Sequence, residues 1–176
     1  MGKMSELKTD GLSFIPVKGK APSFGGGWQR EEMDFSEAVA HGGTGVGLSH
    51  GVSNTCCLDI DDVPAAEAWF KKYYDVGSIM EYLDGHFEVL SPNAKSGKFM
   101  FKLPEGVSLS KFALPDIKLE FRSQGHQDVW PGSKYPPKGG DWREWNAENG
   151  YYWHKGSNAL KDLPLPLVKI WQAHDQ

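Results

Sequence analysis

The sequence predicts an α+β domain, on three observations. The run Cys57-Leu58-Asp59-Ile60-Asp61-Asp62 alternates acids with apolar residues, and Lys118-Leu119-Glu120-Phe121-Arg122 alternates charges with apolar residues. Between them, Asp62 to Tyr74 carries a capped helical pattern. A strand sends successive side chains to opposite faces, so Asp59 and Asp61 share one face over Leu58 and Ile60. By the same rule Lys118, Glu120 and Arg122 share a face opposite Ile117, Leu119 and Phe121. Strands with one polar face and helices between them belong to the mixed α+β class.

The elements follow in order. Residues 1–13 read as a flexible lead-in, and 14–176 as one domain. Phe14-Ile15-Pro16-Val17 starts a short strand, followed by Lys18-Gly19-Lys20-Ala21-Pro22 and the glycine-rich Gly25-Gly26-Gly27-Trp28. Residues 31–40 are helical, with Met33, Phe35, Ala38 and Val39 as the apolar set. The run Gly42 to Gly51 superficially resembles a phosphate loop, but it lacks the G-K-[ST] ending and leads into β-type sequence at Val46–Leu48. Asp62 caps the clearest helix, Pro64 suits its first turn, and Ala66, Trp69, Phe70 and Tyr73 form its apolar stripe. Phe87–Leu90 and Ser96–Pro104 are strands, the second with Ser96, Lys98, Met100 and Lys102 on one face and Phe99, Phe101 and Leu103 inward. A hairpin through Ser123-Gln124-Gly125 is expected to join the Glu120 strand to Asp128-Val129-Trp130. Residues 131–153, rich in Pro, Gly and Trp, form a long loop, and a short helix ends near Trp171.

Composition bounds the class. The chain has 176 residues, 39% hydrophobic and 24% charged, which fits a globular domain with a sizeable core. No apolar stretch approaches the roughly 18 residues of a membrane span, and the first residues lack the apolar core of a signal peptide, so a cytoplasmic protein with no membrane partner is expected. The net charge of −4, from 19 basic and 23 acidic residues, argues against a nucleic-acid coat but not against an enzyme with a local groove. The two cysteines, Cys56 and Cys57, are adjacent and would point to opposite faces, which suits neither a disulfide nor a structural zinc.

The carboxylates carry the chemistry. Acids at i and i+2 on a strand stand roughly 6–7 Å apart. That span suits two magnesium ions about 3.5–4 Å apart, with Glu120 from a neighbouring strand as a third ligand. Like charges so close repel, and bound cations would compensate them. Lys98 and Arg122 would then steady a triphosphate. The competing reading is a pair of solvated acids at a strand end.

The ordered series of motifs resembles the bifunctional DNA primase/polymerase domain of the archaeo-eukaryotic primase superfamily, in its phage and plasmid branch, over roughly residues 14–171. Ile15-Pro16-Val17-Lys18-Gly19-Lys20-Ala21-Pro22 is similar to that family's opening P…K-x-P segment, and Gly45 to Gly51 precedes Leu58-Asp59-Ile60-Asp61-Asp62, which matches its first catalytic motif. Ser96-Gly97-Lys98 resembles the Ser-x-His motif, with Lys98 in the histidine place. Leu119-Glu120-Phe121-Arg122 resembles the third motif. Gln127 to Pro136 is similar to the family's Q-x-V-x-P-P-S-x-H-P run, with two departures: Gly132 replaces a proline and Tyr135 a histidine.

The resemblance implies a primase core with an RRM-like central sheet and a smaller N-terminal α/β unit. It implies a template-directed primase/polymerase that transfers nucleotides from (d)NTPs to a primer 3′-hydroxyl. Asp59, Asp61 and Glu120 would be catalytic and hold two Mg²⁺ or Mn²⁺ ions. Ser96, Lys98, Arg122, Ser49, His50 and Ser133 would bind nucleotide. The implied partners are single-stranded DNA template and primer, nucleoside triphosphates and a replicative helicase domain or protein, in a bacterial or phage-infected cell. Lys18, Lys20 and Lys102 are candidates for template phosphate, and one or two of the late tryptophans for base stacking. The first alternative is a catalytically degenerate nucleic-acid-binding or replication-initiation module of the same fold. The second is a ligand-binding β-rich module, suggested by the Trp, Gly and Pro content.

Overall fold

A computed structural model of the chain describes residues 6–23, 25–92 and 97–174. Its strands are β1 (Phe14–Lys18), β2 (Ala21–Pro22), β3 (Gly45–Ser49), β4 (Thr55–Ile60), β5 (Glu88–Leu90), β6 (Lys98–Lys102), β7 (Phe112–Leu114), β8 (Leu119–Arg122), β9 (Gln127–Val129) and β10 (Trp153–Lys155). The helices are α1 (Phe35–Ala40), α2 (His50–Ser53), α3 (Val63–Tyr74), α4 (Ile79–Tyr82) and α5 (Leu165–His174). The strands form two sheets with antiparallel pairing throughout, in the orders β10-β5-β6-β4-β8-β7 and β2-β1-β3-β9. Mixed α+β architecture therefore holds. The smaller sheet is not purely N-terminal, because its edge strand β9 comes from late in the chain. No helix among the described residues is long and apolar enough to cross a membrane.

Strand β4 is central to the larger sheet and is buried on both faces. Its Cys56, Leu58 and Ile60 join Phe99, Phe101, Leu119 and Phe121 in a core covered by α3 and α5. Cys57 and Met100 face the other way, into a core shared with Phe14, Leu48, Val129 and Trp130 of the smaller sheet. The two cysteines thus point to opposite cores as free thiols.

Local chemistry sets the helix ends. The Asp62 carboxylate accepts from the Ala65 N–H at 3.1 Å, Pro64 occupies the first turn, and Asp75 closes the helix at φ +51°. Ala66 and Phe70 are buried and Trp69 packs beside them, but Tyr73 is 58% exposed, so the apolar stripe is narrower than its spacing suggests. Helix α5 buries Leu167, Val168, Ile170 and Trp171 and runs on to His174.

Of the expected lead-in, residues 1–5 lie outside the described residues, while Leu7 and Leu12 are buried in the second core and the Lys8 N–H donates to the Asn158 carbonyl. Two sequence expectations need correction. Lys118 lies outside β8 at φ +52°, where it ends a short 3₁₀ turn, so only Glu120 and Arg122 share the strand's polar face. Residues 123–126 make no hairpin. They carry the chain from the larger sheet to the smaller, because Ser123 Oγ donates to the Thr55 carbonyl on one side and β9 pairs with β3 on the other. Gly47 on β3 leaves room for the Gln127 side chain that follows the crossing; a Cβ there would stand 1.9 Å from Gln127 Oε1.

Phe70→Ala removes a fully buried ring between α3 and the sheet and is expected to lower the unfolding free energy by about 3–5 kcal/mol in urea titrations. The exposed Tyr73→Ala should cost about 1 kcal/mol or less. Equal losses would contradict this packing.

Candidate active site

Antiparallel register builds the site. Asp59 on β4 stands directly opposite Lys98 on β6 and Glu120 on β8, and Cys57 stands opposite Arg122 and Met100. Directly paired residues point to the same face, so Lys98, Asp59 and Glu120 form a polar row on the side facing the smaller sheet. Asp61 follows the end of β4, with its N–H donating to the Lys118 carbonyl. The smaller sheet contributes Asp128 from β9, and that residue is 1% exposed.

Asp128 gathers three donors. Lys98 Nζ lies 3.0 Å from its Oδ1, Arg122 Nε lies 3.2 Å from the carboxylate, and His50 Nε2 lies 2.8 Å from Oδ2. Nδ1 of His50 meets Thr55 Oγ1 at 2.8 Å. Burial alone would push Asp128 up, yet Lys98, His50 and Arg122 together hold it well below the usual carboxylate range. Burial also pulls the Lys98 ammonium down, and Asp128 and Asp59 outweigh it, keeping the group charged.

Asp59 has the opposite balance. Burial pushes its carboxyl up to about 7; Asp61 and Asp128 add to the rise against the pull of Lys98. Its Oδ1 is buried without a hydrogen-bond partner. Asp59 and Asp61 line a cleft of about 100 Å³ together with Lys20, Lys98, Tyr135 and Tyr152. A second cleft of about 300 Å³ runs from Asp59 and Lys98 to Lys20, Arg122, Gln127 and Asp128.

The residues singled out in the sequence fare unequally. Lys98 lines both clefts. Arg122 lines the second, but its guanidinium is committed to protein acceptors: Asp128, the Gln127 carbonyl at 3.2 Å, and Glu120. Glu120, although in the row, is ion-paired to Arg122 and Lys111 and lines neither cleft. Ser49 and His50 are buried away from the clefts, and His50 serves Asp128. Ser133 Oγ is taken up by the backbone of Val46, accepting from its N–H at 3.1 Å and donating to its carbonyl at 3.2 Å. Ser96 lies outside the described residues. Lys20 does reach the clefts, whereas Asp128 was not legible, because it occupies a variable place between Gln127 and Val129. Tyr135, in the family's histidine position, lines the cleft and packs edge-on against Tyr152.

Residues 5–166 match the model of the bifunctional DNA primase/polymerase N-terminal domain. The chain belongs to that family. No curated protein matches it. The match spans every element that builds the clefts, from β1 and Lys20 through β4, β6, β8 and β9.

For this primase/polymerase domain, the donor set can be weighed against a hard divalent cation. Asp59 and Asp61 fit: an orphaned, buried carboxylate oxygen beside a second carboxylate is the kind of group that oxygen-seeking ions satisfy. Glu120 does not complete the set in this arrangement. Among the described residues, no three His, Cys, Asp or Glu side chains stand together as a metal-holding group.

The raised Asp59 carboxyl has a pH signature in protein free of metal. The unfolded chain releases this proton near pH 4 and the folded chain near 7, so the folded state binds more protons between those limits. Its stability therefore falls as pH rises through that window. Asp59→Asn removes the effect and should melt several degrees above the parent at pH 8, since about 1 kcal/mol moves the midpoint by roughly 2–4 °C at this size. The gain should vanish near pH 4. A variant no more stable than the parent at pH 8 would contradict the burial of an uncompensated charge.

Proposed function

We propose that the chain catalyses template-directed nucleotidyl transfer from nucleoside triphosphates to a primer 3′-hydroxyl. The observation that carries the reading is the unpartnered Asp59 oxygen beside Asp61, in a cleft that also holds the cations Lys98 and Lys20. Family membership implies nucleic acid and nucleotides as partners, and in this reading they are single-stranded template, primer and (d)NTPs.

In this reading Asp59 and Asp61 hold magnesium or manganese. Such ions, when bound, neutralise triphosphate charge and lower the pKa of the attacking hydroxyl. Lys98 keeps its ammonium at the cleft, with Asp128 on one side and the remaining donors open to phosphate oxygens. Lys20, on the β1–β2 turn, adds a second cation to both clefts. Tyr135 and Tyr152, packed edge-on, supply aromatic surface to the first cleft. Arg122 acts as a strut, because each of its three guanidinium nitrogens already holds a protein acceptor.

A second reading, a degenerate nucleic-acid-binding module of the same family, is favoured by one observation. Glu120, the third acid, is tied to Arg122 and Lys111 rather than turned to Asp59 and Asp61.

Primer extension on single-stranded DNA with Mg²⁺ or Mn²⁺ separates the two. Template-dependent extension is expected, with losses of about 100-fold or more in Asp59→Ala and Asp61→Ala. Full activity in either variant, with the fold retained, would sink the catalytic assignment. Glu120→Gln should be as inactive as the aspartate variants if Glu120 turns inward as a ligand, and near parental if it serves only Arg122 and Lys111. A folded parent that binds DNA and extends nothing belongs to the second reading.

A further inference from the structure

Among the charged groups around the clefts, the most deeply buried is one that no catalytic motif contains. We infer that Asp128 is the positioning residue of the nucleotide site: fixed from behind by His50 and Arg122, it holds Lys98 in place for a triphosphate. The inference rests on the nucleotide-binding reading of the clefts given above.

The geometry sets the argument. Lys98 and Arg122 sit on β6 and β8, two strand spacings apart across β4, or about 9–10 Å. Neither strand can steady the other's cation directly. Asp128 enters from the smaller sheet and spans the gap with one carboxylate, contacting Lys98 at 3.0 Å and Arg122 at 3.2 Å. Its side chain is wholly buried, so the pairing is shielded from competing water.

Asp128 is itself anchored. With the carboxylate ionised, His50 Nε2–H donates to it, while Nδ1 of the same ring meets the Thr55 hydroxyl at 2.8 Å. Thr55 begins β4, and its carbonyl accepts from Ser123 Oγ at the foot of the crossing between sheets. The clamp is therefore tied to the same strand that carries Asp59. Each of the three guanidinium nitrogens of Arg122 already holds a protein acceptor, Asp128, Glu120 or the Gln127 carbonyl, so it braces Asp128.

Lys98 differs from these partners. Its side chain keeps 24% of its surface exposed and lines both clefts, whereas Asp128 and His50 have no exposed side-chain surface and Arg122, 22% exposed, lines only the second cleft. A lysine side chain has four flexible torsions, and ordering it upon ligand binding costs affinity. Pairing with a fixed carboxylate removes that freedom before the ligand arrives and keeps the ammonium from collapsing onto Asp59. A residue serving only as a rivet between sheets would affect stability but not act through Lys98.

A double-mutant cycle on nucleotide affinity tests this. The dissociation constant for dATP with Mn²⁺ is measured by calorimetry for the parent, Asp128→Asn, Lys98→Met and the double variant, with single-stranded DNA affinity and thermal midpoint alongside. Asp128→Asn should weaken dATP binding about tenfold, leave DNA affinity within about twofold, and add nothing once Lys98 is Met. His50→Gln, which loosens Asp128 from behind, carries the same test if Asp128→Asn does not fold; its loss should be about threefold and likewise vanish without Lys98. Losses that persist undiminished in the Lys98→Met background, or unchanged dATP affinity in a folded variant, overturn the inference, as does a parent that binds no dATP. Coupling to Lys98 without primer extension would remove the polymerase reading alone. Additivity in a protein that extends primers would remove this inference alone.

Discussion

The buried carboxylate of Asp128 is the interaction on which the arrangement depends. It is a charged contact between the two sheets, placed where the polar row of the larger sheet meets the second core. A lone ionised carboxylate at that depth would be heavily penalised, and removing one partner of such a cluster is more damaging than never having built it. Three donors from three separate elements meet it: Lys98 of β6, Arg122 of β8 and His50 of α2. Satisfying Asp128 therefore fixes how the smaller sheet sits over β4. The crossing at residues 123–126 delivers it there within a few residues of Arg122.

That satisfaction has a consequence for Asp59. Both acids feel the same Lys98, yet Asp128 is held low and Asp59 is pushed up to about 7. The difference is in partners rather than burial. Asp128 is the more buried of the two and has Arg122 and His50 in addition, whereas Asp59 has Asp61 as a like-charged neighbour. One carboxylate is thus structural, and the other is left short of positive charge at the edge of an open cleft. Such a deficit is destabilising in isolation and is what a cation-dependent site requires.

Much of this was legible in the sequence because it is local. Alternation at 57–62 and 118–122 placed Asp59, Glu120 and Arg122 on polar strand faces, and the Asp62 cap with Pro64 marked the start of α3. The opposite orientation of Cys56 and Cys57 followed from the same period of two. What escaped depends on long-range pairing. Ser123-Gln124-Gly125 carries hairpin chemistry, and only the pairing of β9 with β3 shows that the chain changes sheets there. Asp128 was consequently read as part of an adjacent strand, not as the partner of Lys98 thirty residues earlier. Ser133 and His50 match the expected motif, but their polar atoms are consumed by Val46 and by Asp128, which spacing cannot reveal.

The most direct test of the account is to locate manganese by anomalous scattering in crystals grown with Mn²⁺ and a non-hydrolysable dNTP. A peak is expected against the carboxylates of Asp59 and Asp61, with the triphosphate beside Lys98 and Asp128 still paired behind it. Manganese bound elsewhere, with Asp59 and Asp61 bare and the nucleotide outside the clefts, would contradict it.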